Sequence, residues 1–283
     1  MKKAFVLFVL LLSIPLIAQE KEKPERKGNK GQLYISWGWN RAHFSDSDIH
    51  FKGDNYDFVL RSVEGNDRLT PFKYEDYFKI DRITIPQTNF RLGYFFHDNY
   101  TVSIGVDHMK YVMKGYQYAP IEGTINAGTE FDGVYTGEEI RLTEDFLTFE
   151  HTDGLNYVNV EVNRFDNLNT LLNFDTDFMD VNITEGLGAG IIYPKTNATL
   201  FGGERYDDFN VAGYGFSAKV GVNLTFWDHF FIQSDYKIGY IDMPNIMISN
   251  DESNGASQSF GFFQANITFG ARFQLFHKDS KQD

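Results

Sequence analysis

Two short motifs carry side chains suited to acid–base or nucleophilic chemistry. One is Asp107-His108-Met109-Lys110-Tyr111, and the other is Glu150-His151-Thr152-Asp153. Each sets an imidazole beside a carboxylate, as a hydrolase or acyl-transfer centre needs when a His must activate a hydroxyl. No serine adjoins either His; the candidates by type are Ser249, Ser253, Ser257 and Ser259. His108 and His151 therefore stand as an alternative catalytic reading, beside the simpler one in which they are hydrogen-bonding surface groups. Nine carboxylates fall between positions 114 and 156, against Lys114 and Arg141. Oxygen-rich clusters can hold Ca²⁺, but no EF-hand or repeat spacing is present. These acids read as solvated surface, and no metal or cofactor is assigned. Cysteine is absent, which excludes disulfides, thiolate metal sites and cysteine nucleophiles. A net charge of −13 argues against nucleic acid as a partner.

The elements that would position these groups follow from a period of two. Over 213–226, Tyr214, Phe216, Ala218, Val220, Val222, Leu224 and Phe226 share one face, with Gly, Ser, Lys, Asn and Thr on the other. Seven further segments alternate in the same way: 32–40, 89–96, 100–107, 158–163, 186–191, 230–238 and 263–275. Sustained helical periodicity is missing after residue 31. A strand that crosses a bilayer at a tilt needs about 9–11 residues with its apolar side outward. The composition agrees, with 17 % aromatic residues and 25 glycines at a mean hydropathy of −0.36. Glu185 is the exception, because it falls on the apolar parity. Either the spanning part starts after it or a bulge shifts the register.

Residues 1–18 read as a secretory signal, with Lys2 and Lys3, an apolar run from Ala4 to Leu12, and a small-residue site at Ala18. Residues 19–31 form a charged, flexible leader on the periplasmic side. Between strands, His97-Asp98-Asn99 and Trp227-Asp228-His229 are tight turns, and the link near 166–179 is modest. Stretches at about 43–84, 113–156, 194–212 and 243–258 are long and polar. Short turns on one side and long loops on the other suit a transmembrane antiparallel up-and-down β-barrel of eight strands, with both termini periplasmic and the long loops extracellular. Ten strands stay open, because 57–63 and 140–149 have strand-like composition. A soluble barrel with its apolar face inward is the other reading. The tight turns carry Phe95, Phe96, Tyr100, Phe226, Trp227, Phe230 and Phe231, expected to form an aromatic girdle.

The last strand carries Thr268-Phe-Gly270-Ala-Arg-Phe273-Gln-Leu275 followed by Phe276. This resembles the C-terminal assembly signal of outer-membrane β-barrels, and the chain as a whole resembles the small eight-stranded outer-membrane barrels of Gram-negative bacteria, the class that includes OmpX, OmpW and the OmpA transmembrane domain. The resemblance covers most of 32–276 in pattern and implies insertion by the barrel assembly machinery. Its implied partners are outer-membrane lipid, lipopolysaccharide and other outer-membrane proteins. Residues 278–283 are then a periplasmic tail. Some members of this class modify lipid A or phospholipid, but the His-X-Ser-Asn type of motif of the lipid A deacylases is not present. If the polar parity points inward, Arg91, Lys219, Lys237 and Arg272 meet Asp107, Glu161 and Asp235 in the lumen. Eight strands leave room there for side chains or one small ligand, so a paired, plugged interior is expected ahead of a conduit for small solutes. Well over half the mature chain lies outside the spanning strands. The expected function is therefore that of a non-enzymatic surface or scaffold protein, a subunit beside a larger outer-membrane complex. A lipid-modifying hydrolase or acyltransferase using His108 or His151 is the alternative.

Overall fold

The computed structural model describes residues 28–274, apart from Ile80, Ile83, Thr84, Asp175, Asp177 and Glu252. The signal segment, residues 19–27 of the leader, Leu275, Phe276 and the tail 278–283 lie outside the described residues. In chain order the elements are β1 (Gln32–Phe44), β2 (Ser47–Gly53), β3 (Tyr56–Val63), β4 (Gly65–Asp67), α1 (Tyr74–Phe78), β5 (Thr88–His97), β6 (Tyr100–Met113), β7 (Tyr118–Ile125) and β8 (Gly133–Arg141). They continue with β9 (Leu147–Asn167), β10 (Met179–Leu200), β11 (Tyr206–Phe209), β12 (Gly213–Phe226), β13 (Phe230–Met247) and β14 (Gly255–Gln274).

Eight of these strands close a ring in the order β1-β5-β6-β9-β10-β12-β13-β14, with β14 pairing back onto β1. The other strands lie off the ring. Residues 57–63 belong to β3, which pairs with β2 and β7, while 140–149 divides between the end of β8 and the start of β9. The barrel thus has eight strands and not ten. A walk across paired residues runs Leu33, Tyr94, Val102, Val162, Leu187, Ala218, Ile238, Phe263, His43, and so returns ten residues further along β1. At about 3.3 Å rise per residue and about 4.8 Å between strands, this stagger tilts the strands by roughly 40°.

The apolar parity faces out. Ile35, Leu92, Ile104, Val162, Leu187 and Val222 are all exposed on the ring's outer wall, whereas Ser36, Arg91, Asp107, Glu161 and Asn223 are buried inside it. A soluble barrel would have the reverse arrangement. An apolar outer band on a ring with no free edge is what a bilayer requires, since every ring strand finds its backbone partners within the protein. Glu185 keeps its outward parity. The β9–β10 and β10–β12 registers run unbroken through it, so there is no bulge, and it stands opposite Arg164.

The stretches expected as long polar loops are folded. β9 and β10 run on past the band, and β2, β3, β7 and β8 build a sheet outward from the start of β14. Along β6 the inward residues change from Thr101, Ser103 and Asp107 to Met109, Tyr111 and Met113; along β14 they change from Asn266 and Gln264 to Phe262 and Phe260. Above the band the barrel is therefore filled by an apolar core in which Phe51, Phe58, Phe146 and Phe149 are almost fully buried. Burying these side chains gives the crown a hydrophobic stabilisation of its own.

Candidate functional site

Five of the seven expected lumen charges meet at mid-barrel. Arg91 Nη2 lies 3.3 Å from Asp107 Oδ1 and 3.0 Å from Glu161 Oε1. Glu161 also takes Lys219 Nζ at 2.7 Å and Lys237 Nζ at 2.7 Å, and Lys237 pairs with Asp107 as well. Asn159 joins the group, accepting from Arg91 Nη1 at 3.0 Å. The five charged side chains come from five different strands, β5, β6, β9, β12 and β13, so the network ties together more than half of the ring.

Asp235 is not part of these ion pairs. It accepts from Gln233 at 3.2 Å and from Asn266 at 2.9 Å; Asn266 in turn accepts from Asn89 at 3.0 Å, and Asn89 accepts from Asn40. With Asp235 counted, the mid-barrel group holds three cations and three carboxylates and is neutral. Buried charges are tolerated when paired with opposite charges in this way.

Arg272 departs from the expectation. It sits at the short-turn end, paired in register with Tyr34, beneath the rings of Phe95, Phe165 and Phe231 at 4.9, 5.3 and 5.4 Å, and it donates to Asn223 at 3.2 Å. The physical reason lies in its neighbours. At this level the inward side chains of β1, β5, β9 and β13 are aromatic, and a guanidinium is attracted to their faces. Phe95 and Phe231 are accordingly buried inside, and not in the outer girdle expected for them. Phe96, Tyr100, Trp227 and Phe230 do face outward. Tyr34 closes the aromatic floor with edge contacts of 5.9 Å to Phe95 and 6.0 Å to Phe231.

Of the C-terminal motif, Thr268 faces inward and Phe273 outward. Gly270 is required by close approach, because a Cβ there would lie 2.2 Å from the Phe231 ring and 2.6 Å from the Ile35 carbonyl oxygen. A cavity of about 30 Å³ lies between the floor and the charges, bounded by Ser36, Thr184, Gln233 and Arg272 among others. Its size suits a water or two and nothing larger.

The two histidines are placed on opposite faces of the β6–β9 wall. His108 is on the outward parity, with Nδ1 2.8 Å from Asn156 Oδ1. His151 points into the crown core, above the spanning part, where Nδ1 lies 3.0 Å from Thr196 Oγ1 and Phe149 and Tyr111 pack on its ring. Burial pushes the His151 imidazole down to about 4. Among the described residues, neither imidazole has a serine or a carboxylate in hydrogen-bond reach. Ser249 and Ser253 instead close the turn around Asp251. At least four of the nine acids of the second long connection are engaged by neighbouring groups. Glu122 holds Arg61 at 2.7 Å, Glu150 holds Arg68 at 3.0 Å, Asp153 holds Lys195 at 3.2 Å, and Asp132 accepts the backbone N–H groups of Ala127, Gly128 and Thr129. Among the described residues, no group of three or more His, Asp or Glu is arranged to hold a metal ion.

Neither a scan against protein-family models nor a search of curated proteins finds a match. Among solved structures the chain is similar to the outer membrane protein OprG from Pseudomonas aeruginosa, at 11 % identity over 87 % of this chain and 98 % of that one, with a TM-score of 0.40. It is similar to Neisserial surface protein A at 10 % identity over 87 % and 100 %, with a TM-score of 0.35. It is also similar to the outer membrane protein AlkL in lipid bilayers at 11 % identity over 91 % and 97 %, with a TM-score of 0.39. The closed ring, its stagger and its outward apolar parity, read from this chain's own registers, make it an eight-stranded antiparallel transmembrane β-barrel.

Proposed function

We propose that this protein is a non-enzymatic, integral outer-membrane barrel that acts through its surface, as a structural or interaction subunit beside other outer-membrane proteins. In this reading the short turns and both termini face the periplasm, and the crown faces the outside. One observation carries the proposal: the bore is filled along its length. The aromatic floor, the neutral charge network and the apolar crown core follow one another along the barrel, which supports a sealed bore and a function on the exterior. The crown supports this, being a folded, cored structure that presents surface well beyond the band.

Two measurements test the proposal. In planar bilayers the refolded protein is expected to give no current steps above background, and regular steps would overturn the sealed-bore reading. In mild native extracts it is expected to migrate above the mass of one chain, with defined companions. Recovery as a lone chain under every extraction condition would overturn the subunit reading.

A further inference from the structure

The connection from β1 to β5 does not simply extend away from the barrel. Its described residues 69–79, 81, 82 and 85 fold back along the outer wall and are pinned there by outward side chains of the ring. Trp39 of β1 meets the ring of Tyr77 at 5.8 Å and that of Phe78 at 5.6 Å. Arg41 Nη2 donates to Tyr77 Oη at 2.9 Å, and that hydroxyl donates to the Thr70 carbonyl at 2.9 Å. Lys110 of β6 donates to the Ile85 carbonyl.

Four apolar side chains of this segment are exposed, interspersed with exposed Lys73, Glu75 and Lys79. Phe72 is 74 % exposed, Tyr74 70 %, Leu69 60 % and Phe78 50 %. This patch continues the outer band, because Trp39 also packs on Phe269, a band residue, at 6.0 Å. The charges of α1 are paired within the segment, Lys79 with Glu75 at 3.0 Å and Arg82 with Asp76 at 3.3 Å. Among the described residues, the hydrogen bonds of Arg41 and Lys110 go to uncharged acceptors, the Asn40 carbonyl, Gln87, Tyr77, Thr70 and the Ile85 carbonyl, with Asp67 and Asp153 nearby. Aromatic residues beside cations at the edge of an apolar band are the composition of a membrane–water interface, where rings enter the acyl boundary and cations meet phosphate.

We propose that residues 69–79 form a flap inserted into the adjoining lipid leaflet, with Leu69, Phe72, Tyr74 and Phe78 in the acyl boundary and Arg41 and Lys110 facing lipid phosphates. This rests on the reading of the band as lipid-facing, and in the proposed orientation the leaflet is the outer one. The occupant of the patch is thus the bilayer and not a protein.

The chain has no cysteine, so single nitroxide labels can be placed without background. The full chain is refolded into phosphatidylcholine vesicles as Tyr74→Cys, Ile104→Cys and Val134→Cys. Accessibility to oxygen and to a water-soluble nickel chelate is then read by power saturation. Ile104 is an outward band residue, 55 % exposed, and Val134 lies on crown strand β8, 75 % exposed. The label at 74 is expected to match that at 104, oxygen-accessible and shielded from nickel severalfold relative to 134. Nickel access at 74 equal to that at 134, with 104 still shielded, would overturn the flap alone. Nickel access at 104 as well would overturn both the flap and the lipid-facing band.

Discussion

Glu161 of β9 forms an ion pair with Lys237 of β13 at 2.7 Å although two ring strands, β10 and β12, stand between their own. The contact crosses the bore, and Glu161 serves Arg91 and Lys219 at the same time. It is the anion on which the mid-barrel cations converge.

Removing that anion should cost more than any surface pair would. Glu161→Ala leaves Arg91, Lys219 and Lys237 to share Asp107, and breaking a buried pair from one side costs about 3–5 kcal/mol. Urea titration of the refolded barrel in vesicles should show a loss of that order. The double variant Glu161→Leu with Lys237→Met should lose less than the two single changes summed, since it removes charge from both sides. A Glu161→Ala loss below about 1 kcal/mol would mean that water inside the lumen solvates these groups.

The bore is closed at three levels, so opening one should not make a pore. Phe95→Ala combined with Phe231→Ala strips two rings from the floor around Arg272, yet the charge network and crown core remain. The expected record is a destabilised barrel, by several kcal/mol for two buried aromatics, with no current steps in a planar bilayer. Steps from this variant alone would show that the floor is the sole barrier.

The ring was readable from the residue pattern, because outward contact with hydrocarbon enforces a strict period of two on every strand. Parity assigns a face but not a level, and this is why Arg272 was grouped with Arg91 and Lys237. With a ten-residue stagger, level emerges only from counting registers around the ring, and that count places Arg272 beside Tyr34 at the floor. The crown was harder to see. The pair Phe51 and Phe58 is far in sequence from the pair Phe146 and Phe149, and the two meet through the β2–β3–β7 pairing and the start of β9. One trace was available: on β6 the polar parity turns apolar at Met109, Tyr111 and Met113. The same change explains His151, whose segment is a strand end inside the crown core and not a rim loop.

Crown stability should depend on pH through His151. Its folded-state value of about 4 lies below the ordinary 6.5, so between these limits the unfolded chain binds a proton that the folded chain does not. Stability is then constant above about pH 6.5, falls as pH drops towards about 4, and levels off below. The full span is worth about 3 kcal/mol. Limited proteolysis of the crown across this range should accelerate on acidification, and His151→Gln should flatten the profile. An unchanged slope in that variant would assign the dependence to other groups.

Glu185 presents a carboxylate on the lipid-facing parity, with Arg164 opposite on β9. Arg164 is itself held by Asp166 at 2.8 Å, so the trio carries one surplus negative charge. Ile183 and Val181 lie below Glu185 on the same face, which keeps it within the apolar band rather than at its lower edge. Acidic side chains on the lipid face of a barrel are unfavourable, though less so than basic ones at the midplane. Glu185→Leu should therefore stabilise the isolated barrel in vesicles by about 1 kcal/mol, while Leu187→Glu, two residues along the same face, should destabilise it by a similar amount. Urea midpoints of the two variants against the parent chain decide the matter. Destabilisation by Glu185→Leu would show that the carboxylate is engaged by a neighbouring charge strongly enough to outweigh its contact with hydrocarbon.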